Sequence, residues 1–266
     1  MSLTTPIRAL VAPVALLIAA ALPAAALAHD TWFEPLATPP GAQALLALGT
    51  GTQYPVHDTG VAAQYLTRQG CSGADPQAPA VPLQALRNLR AALVLRAPPG
   101  AASCWAQLTP FELKIAPEIV AIYFDDIQAP PAVRTAWAEM QQRGVAWHER
   151  YTKHARIELG AGSDAASPMD MDVHIEPHAG PLRAGAPLVA QVLRDGEPLA
   201  GLAVELRGDG STPGIWRQTD AQGRVQMTLP QAGRWVLRAT DLRLSKTEPD
   251  QWESRFVTLV FTVPAN

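Results

Sequence analysis

Six histidines carry most of the coordination chemistry this chain can offer: His29, His57, His148, His154, His174 and His178. Imidazole is the commonest protein ligand for transition metals. His29 stands out by position, in the stretch "LAHDTWFEP" from Leu27 to Pro35. A cut after Ala28 makes His29 the first residue, with a free α-amine beside its imidazole. Amine and Nδ1 together chelate, and Cu(II) and Ni(II) accept such tetragonal nitrogen sets most readily. The bland alternative is a frayed first residue that merely follows a cleavage site.

A second cluster lies in "MDMDVHIEPHAG". Met169, Met171, Val173 and Ile175 alternate with Asp170, Asp172, His174 and Glu176. That period predicts a half-buried strand with one polar face. His178 follows just past Pro177. Side chains two apart on a strand sit about 6.5–7 Å from each other, so they meet on one ion only with help from elsewhere. The candidate metal ligands are therefore His29 and Asp30, with His174 and His178 as partners. A solvated strand face is the alternative for the second pair.

The remaining candidates point to structure. "AWHERYTKHARIEL" places Trp147, Tyr151 and His154 at i, i+4 and i+7, one face of a helix on which His154 reads as a packed ring. Arg150, Lys153 and Arg156 form a basic cluster expected at a solvated edge. His57 falls in a Gly/Pro-rich loop and is expected to be accessible. Asp125 and Asp126 are adjacent, so they point apart on a strand and lie about 100° apart on a helix. No GxSxG, HExxH, SxxK, P-loop or GxGxxG context is present, and no nucleophile stands out. The expectation is a protein that is not an enzyme.

Residues 1–28 have the pattern of a cleavable signal peptide. Arg8 is their only charge, Ala9 to Ala21 is almost wholly apolar, and Ala26-Leu27-Ala28 offers small residues where a signal peptidase reads. Cleavage leaves 238 of the 266 residues, exported to the periplasm and without a membrane span. The formal charge of −3 becomes −4 without Arg8, which steers nothing toward nucleic acid or acidic lipid. In an oxidising compartment, Cys71 and Cys104 are expected to form a disulfide, two buried thiols being the alternative. Twenty-two of the 25 prolines follow residue 28, which disfavours long helices.

The expected fold is mainly β, with two β-sandwich-like domains. Residues 29–158 form the first, with strand candidates "AQALLALGT" and "AALVLRA" and a short helical segment. There Val133, Trp137 and Met140 share a face behind Pro130-Pro131. Residues 159–168, rich in Gly, Ala and Ser, read as a linker. Residues 169–266 read as an Ig- or transthyretin-like sandwich, its strands separated by turns at Asp195-Gly196, Asp220 to Gly223 and Gln231 to Gly233.

Taken together, "AHDTWFEP", "ERYTKHARIEL", "VLRDGEPLAGLAVEL", "TDAQGRV" and "WESRFVTLVFTV" occur in an order that resembles the DUF4198 family over essentially the whole mature chain. "GEPLAG…TDAQGRV" also resembles transthyretin-like and carboxypeptidase regulatory modules, and marks fold more than function. The resemblance implies a periplasmic protein associated with nickel or cobalt uptake and a transporter component as partner. His29 and Asp30 fall on the family's opening His-Asp-aromatic motif. "VHIEP" matches at Pro177 without assigning His174 a ligand role. The family often carries another aromatic at the place of His154, which supports packing there. The expected function is non-catalytic binding of a divalent transition metal, nickel or cobalt by family association and copper by terminus chemistry. The alternative is a metal-independent sandwich module that docks an envelope or transporter partner.

Overall fold

A computed structural model describes residues 29–39, 41–75, 77–160, 166–178, 180–209 and 214–265. The expected signal peptide, residues 1–28, and residues 161–165 of the expected linker lie outside the described residues. The first half contributes β1 (Asp30–Leu36), β2 (Leu45–Gly51), β3 (Thr59–Gly60), β4 (Leu66–Ser72), β5 (Gln84–Asn88), β6 (Leu93–Arg96), β7 (Ser103–Leu108) and β8 (Phe111–Leu113). Helices α1 (Pro117–Asp126) and α2 (Pro131–Gln142) follow, then β9 (Glu149–Glu158). The second half is β10 (Met171–Ile175), β11 (Pro187–Arg194), β12 (Glu197–Pro198), β13 (Ala203–Gly208), β14 (Ile215–Gln218), β15 (Arg224–Thr228), β16 (Gly233–Leu244) and β17 (Trp252–Val263).

Three sheets result, and the fold is mainly β and sandwich-like. The largest runs β14-β13-β16-β17-β9-β7-β4, with β8 on β9. Its centre is a parallel pairing of β17 with β9, from Trp252↔Glu149 to Val260↔Ile157. Each half of the chain therefore supplies four strands to one shared central sheet.

Alternation along the central strands sorts two cores. Ala155, Ile157, Val236 and Val260 face the five-stranded sheet β1-β2-β6-β5, with β3 on β2, and pack with Trp32, Phe33, Leu46 and Leu48. Val257, Leu259 and Phe261 face the opposite way, onto Met171, Val173 and Ile175 of the sheet built on β10 and β11. The helices share the first side, where Trp137 and Met140 pack near Trp147, Trp252 and Phe256. Strands buried on both faces explain why this layer carries so few alternating signals.

Local signals are obeyed where one turn decides them. Asp195 and Gly196 adopt φ of 54° and 81°, the positive pair that a two-residue hairpin turn demands. Helix α2 starts at Pro131 behind Pro130 and buries Val133, Trp137 and Met140, the face read from the sequence. Cys71 and Cys104 stand opposite each other on β4 and β7 and form the disulfide. Among the described residues no helix is long and apolar enough to cross a membrane.

Three expectations are corrected. The segment around Tyr151 and His154 is a strand, not a helix face, because β7 and β17 bracket it with main-chain partners. As a strand it turns Lys153 and Arg156 to opposite faces, and both are buried at 8% and 0% exposure, so no solvated basic edge forms there. The polar side of β10 is not solvated either: Asp172 and His174 are buried. There the Asp172 carboxylate accepts a hydrogen bond from Arg156 Nη1 at 2.9 Å.

Candidate functional site

The amino-terminal strand lies on the central sheet, and its first residues meet an unusual concentration of buried charge. β1 is held in register by β2, from Asp30↔Gly51 onward. Thr258 Oγ1 of β17 donates to the Thr31 carbonyl at 2.6 Å. His29, directly before this strand, is half-buried. Burial chiefly, with help from the nearby Lys153 charge, lowers its imidazole pKa against the pull of Asp58 and Asp30. A neutral imidazole is the form a metal requires.

Asp30 is 7% exposed. Its Oδ2 accepts from Arg238 Nη1 at 2.9 Å, whereas its buried Oδ1 has no hydrogen-bond partner. Arg238 is a hub. Its Nη2 donates to Asp126 Oδ1 and to the Asp126 carbonyl, each at 3.0 Å, and its Nε donates to Glu205. It also lies over the Trp216 ring at 5.5 Å. Burial opposes the guanidinium charge, but Asp30, Asp126 and Glu205 together hold it firmly on. Asp125, by contrast, turns outward to Arg134 at 2.9 Å, so the adjacent carboxylates do point apart.

Lys153 is the cation that sequence patterning misplaced. From β9 it faces the side that β1 covers, and among the described residues its ammonium makes no hydrogen bond or ion pair. It lies over the Tyr151 ring, 5.5 Å from Nζ to the ring centroid. Burial pulls its pKa down to about 8, with Asp30 acting to raise it. The unfolded chain holds that proton up to about pH 10.4. Between roughly pH 8 and 10.4 the unfolded state thus binds more protons, and stability rises with pH. Lys153→Met is expected to exceed wild type at pH 7.5 by up to about 3 kcal/mol, with the gap closing toward pH 10.5. Urea midpoints at both pH values measure this, and parallel pH profiles would refute it.

The other histidines fall elsewhere. His174 is buried on the sheet that covers the opposite face of the central layer, its Nδ1 3.8 Å from Asp172 Oδ2. The central sheet therefore stands between His29 and His174, and they do not share an ion. His178 lines a cleft of about 620 Å³ with Pro35, Ile157, Ile175 and Phe261. Pro35 lies five residues beyond Asp30 along β1, roughly 17 Å away at strand rise, so His178 sits at the far end. His154 has both ring nitrogens occupied, by the Phe256 carbonyl at 2.9 Å and by Asp170 at 2.5 Å.

His57 is closer to the opening strand than its loop position suggested. Its Nε2–H donates to the Trp32 carbonyl at 3.1 Å, and its ring lies 5.0 Å from that of Trp32. No pattern in the sequence pairs it with Trp32, because the contact depends on the β2–β3 turn. Among the described residues no three His, Cys, Asp or Glu side chains converge closely enough to hold an ion. Any centre at His29 must draw donors from outside those residue types.

No curated protein and no solved structure matches the chain. The model of the family described as Domain of unknown function (DUF4198) matches residues 26–241, which run from the expected cleavage site into β16, and the chain belongs to that family.

Proposed function

We propose that this is an exported, periplasmic, non-catalytic protein that binds a divalent transition metal at its mature amino terminus. Processing after Ala28 frees the α-amine of His29. The amine, His29 Nδ1 and Asp30 Oδ1 then offer two nitrogens and an oxygen within two residues. The observation that carries the reading is Asp30 Oδ1, a buried carboxylate oxygen without a hydrogen-bond partner beside the chain's first histidine. Arg238 occupies only the other oxygen, and so orients the carboxylate without using it up. Copper and nickel suit the donor chemistry, and nickel or cobalt suits the family association. An accessory role in metal uptake, with a transporter component as partner, follows from that association.

The test is a titration of periplasm-expressed protein with Cu(II), Ni(II), Co(II) and Zn(II). Mass spectrometry first establishes that it begins at His29. Tight one-to-one binding is expected for one of these ions, weakened at least 100-fold when a single residue precedes His29. The extra residue converts the amine to an amide and removes a ligand. Equal binding by the two forms, or a mature end at another residue, would overturn the reading and favour the metal-independent docking module.

A further inference from the structure

We propose that one ordered water molecule is built into the fold between Asp30, Trp32 and Tyr54, where it joins the amino-terminal strand to the turn between β2 and β3. Asp30, Trp32 and Glu34 recur at i, i+2 and i+4 along β1 and so share a face. That face looks onto β16, where Arg238 holds Asp30 and Arg234 holds Glu34. Beside Trp32, the side chains of Asp30, Tyr54 and Val236 border a space that leaves about 10 Å³ for the centre of a water-sized sphere. That is close to the room one water takes.

Four polar atoms at or next to this space are buried and have no hydrogen-bond partner among the described residues: Asp30 Oδ1, Trp32 Nε1, Glu34 Oε1 and Tyr54 Oη. Their residues are all more than nine-tenths buried. Leaving such atoms unmet is costly, and native folds rarely do so. The Trp32 and Tyr54 rings meet edge to face, 5.8 Å between centroids, and the Tyr54 hydroxyl lies toward the Glu34 carboxylate. One molecule balances the set. Trp32 Nε1–H donates to the water oxygen. The water donates one hydrogen to Asp30 Oδ1 and the other to Tyr54 Oη, whose own hydrogen turns to Glu34 Oε1. All four atoms are then met, and the water makes three hydrogen bonds, the usual number for a buried one.

Charge on the wall decides what the occupant is. Arg207 and Arg238 border the space and keep a metal ion out of it, while the Asp30 carboxylate keeps out an anion. Both guanidiniums are already engaged, Arg207 by Glu205 and Arg238 by Asp30, Asp126 and Glu205. What fits is a neutral molecule that both donates and accepts, and at this size that is water. A carboxylate oxygen has two lone pairs, so Asp30 Oδ1 keeps one for a ligand outside the space. The water belongs to the metal-free protein, and with Arg238 it fixes the orientation of the Asp30 carboxylate.

The experiment uses metal-free, isotope-labelled protein and reads magnetic cross-relaxation between water and the indole N–H of Trp32. The seven tryptophans give seven indole signals, and the one lost in Trp32→Phe belongs to Trp32. A water held between Asp30 and Trp32 tumbles with the protein. Wild type should therefore show a rotating-frame cross-peak at the water frequency, opposite in sign to proton exchange. Tyr54→Phe removes the hydroxyl that could relay such a signal through its own exchange, and leaves the water two partners, so the cross-peak should persist there. Its absence from wild type, or its loss in a folded Tyr54→Phe, would overturn the proposal. So would a Trp32 indole shift that saturates with added bromide, because the occupant is then an anion. A high-resolution crystal structure of wild type tests the site without any variant. One peak of solvent density is expected within about 3 Å of Asp30 Oδ1, Trp32 Nε1 and Tyr54 Oη, and a dry space there would equally overturn it.

Discussion

Arg238→Ala is expected to destabilise the chain by about 3–5 kcal/mol, the range for removing one partner of a buried ion network. The arginine sits 6% exposed among Asp30, Asp126 and Glu205, which come from β1, α1 and β13. Deleting it leaves three carboxylates around an emptied position, repelling one another and short of donors. Alanine also loses the contact with the Trp216 ring. Arg238→Lys restores a charge but not the fork that serves all three partners, so it should recover less than half of the loss. Urea unfolding measures the magnitude. Amide hydrogen exchange at Thr31 to Phe33 should speed up more than exchange in β16, because β1 loses its anchor. A loss below about 1 kcal/mol would mean that the network merely breaks even against its desolvation cost.

Removing the disulfide is the second large effect. Cys71→Ala combined with Cys104→Ala should cost about 3–4 kcal/mol in the chain-entropy account, given the 33-residue separation. The bridge ties β4 to β7 within the central sheet, and the loop it closes carries β5 and β6 of the outer sheet. Main-chain bonds of Cys71 go to Val81 on the other side, so no hydrogen bonds link the two cysteines directly. The covalent link therefore joins a non-hydrogen-bonded pair of the ladder, the kind whose side chains stand closer together. The stabilisation resides mainly in the unfolded chain, so the denaturant slope should steepen when the link is cut. Wild type treated with reductant should match the double variant. Coincident unfolding midpoints for all three would rule out the entropic effect.

The unequal success of reading the sequence has a physical origin. Asp195-Gly196, the Pro130-Pro131 helix start, and the pairing of the two cysteines were legible because each is decided by a few neighbouring residues or by there being no other cysteine to choose. β9 was not legible. Tyr151 and His154 look like one packed face of a helix, and Arg150, Lys153 and Arg156 like a solvated edge, until distant chain segments are added. Tyr123, Trp147 and Ser254 satisfy Glu149, Asp170 meets His154, and Asp172 meets Arg156. Patterning rules price a charge as if water were its only partner, and here the partners are more than 100 residues away in one case and 16 in two others.

The site divides along the same line. By itself the sequence determined that His29 and Asp30 follow a leader-like segment, that the chain would be rich in short strands, and that its cysteines would pair. Only the tertiary structure decided that His174 lies behind the central sheet, that Arg238 anchors Asp30, and that Lys153 is buried on the side of His29. Strand alternation tells which residues share a face. Which faces meet is set by the parallel pairing of β9 with β17, whose residues lie about a hundred positions apart and carry no local signal of one another.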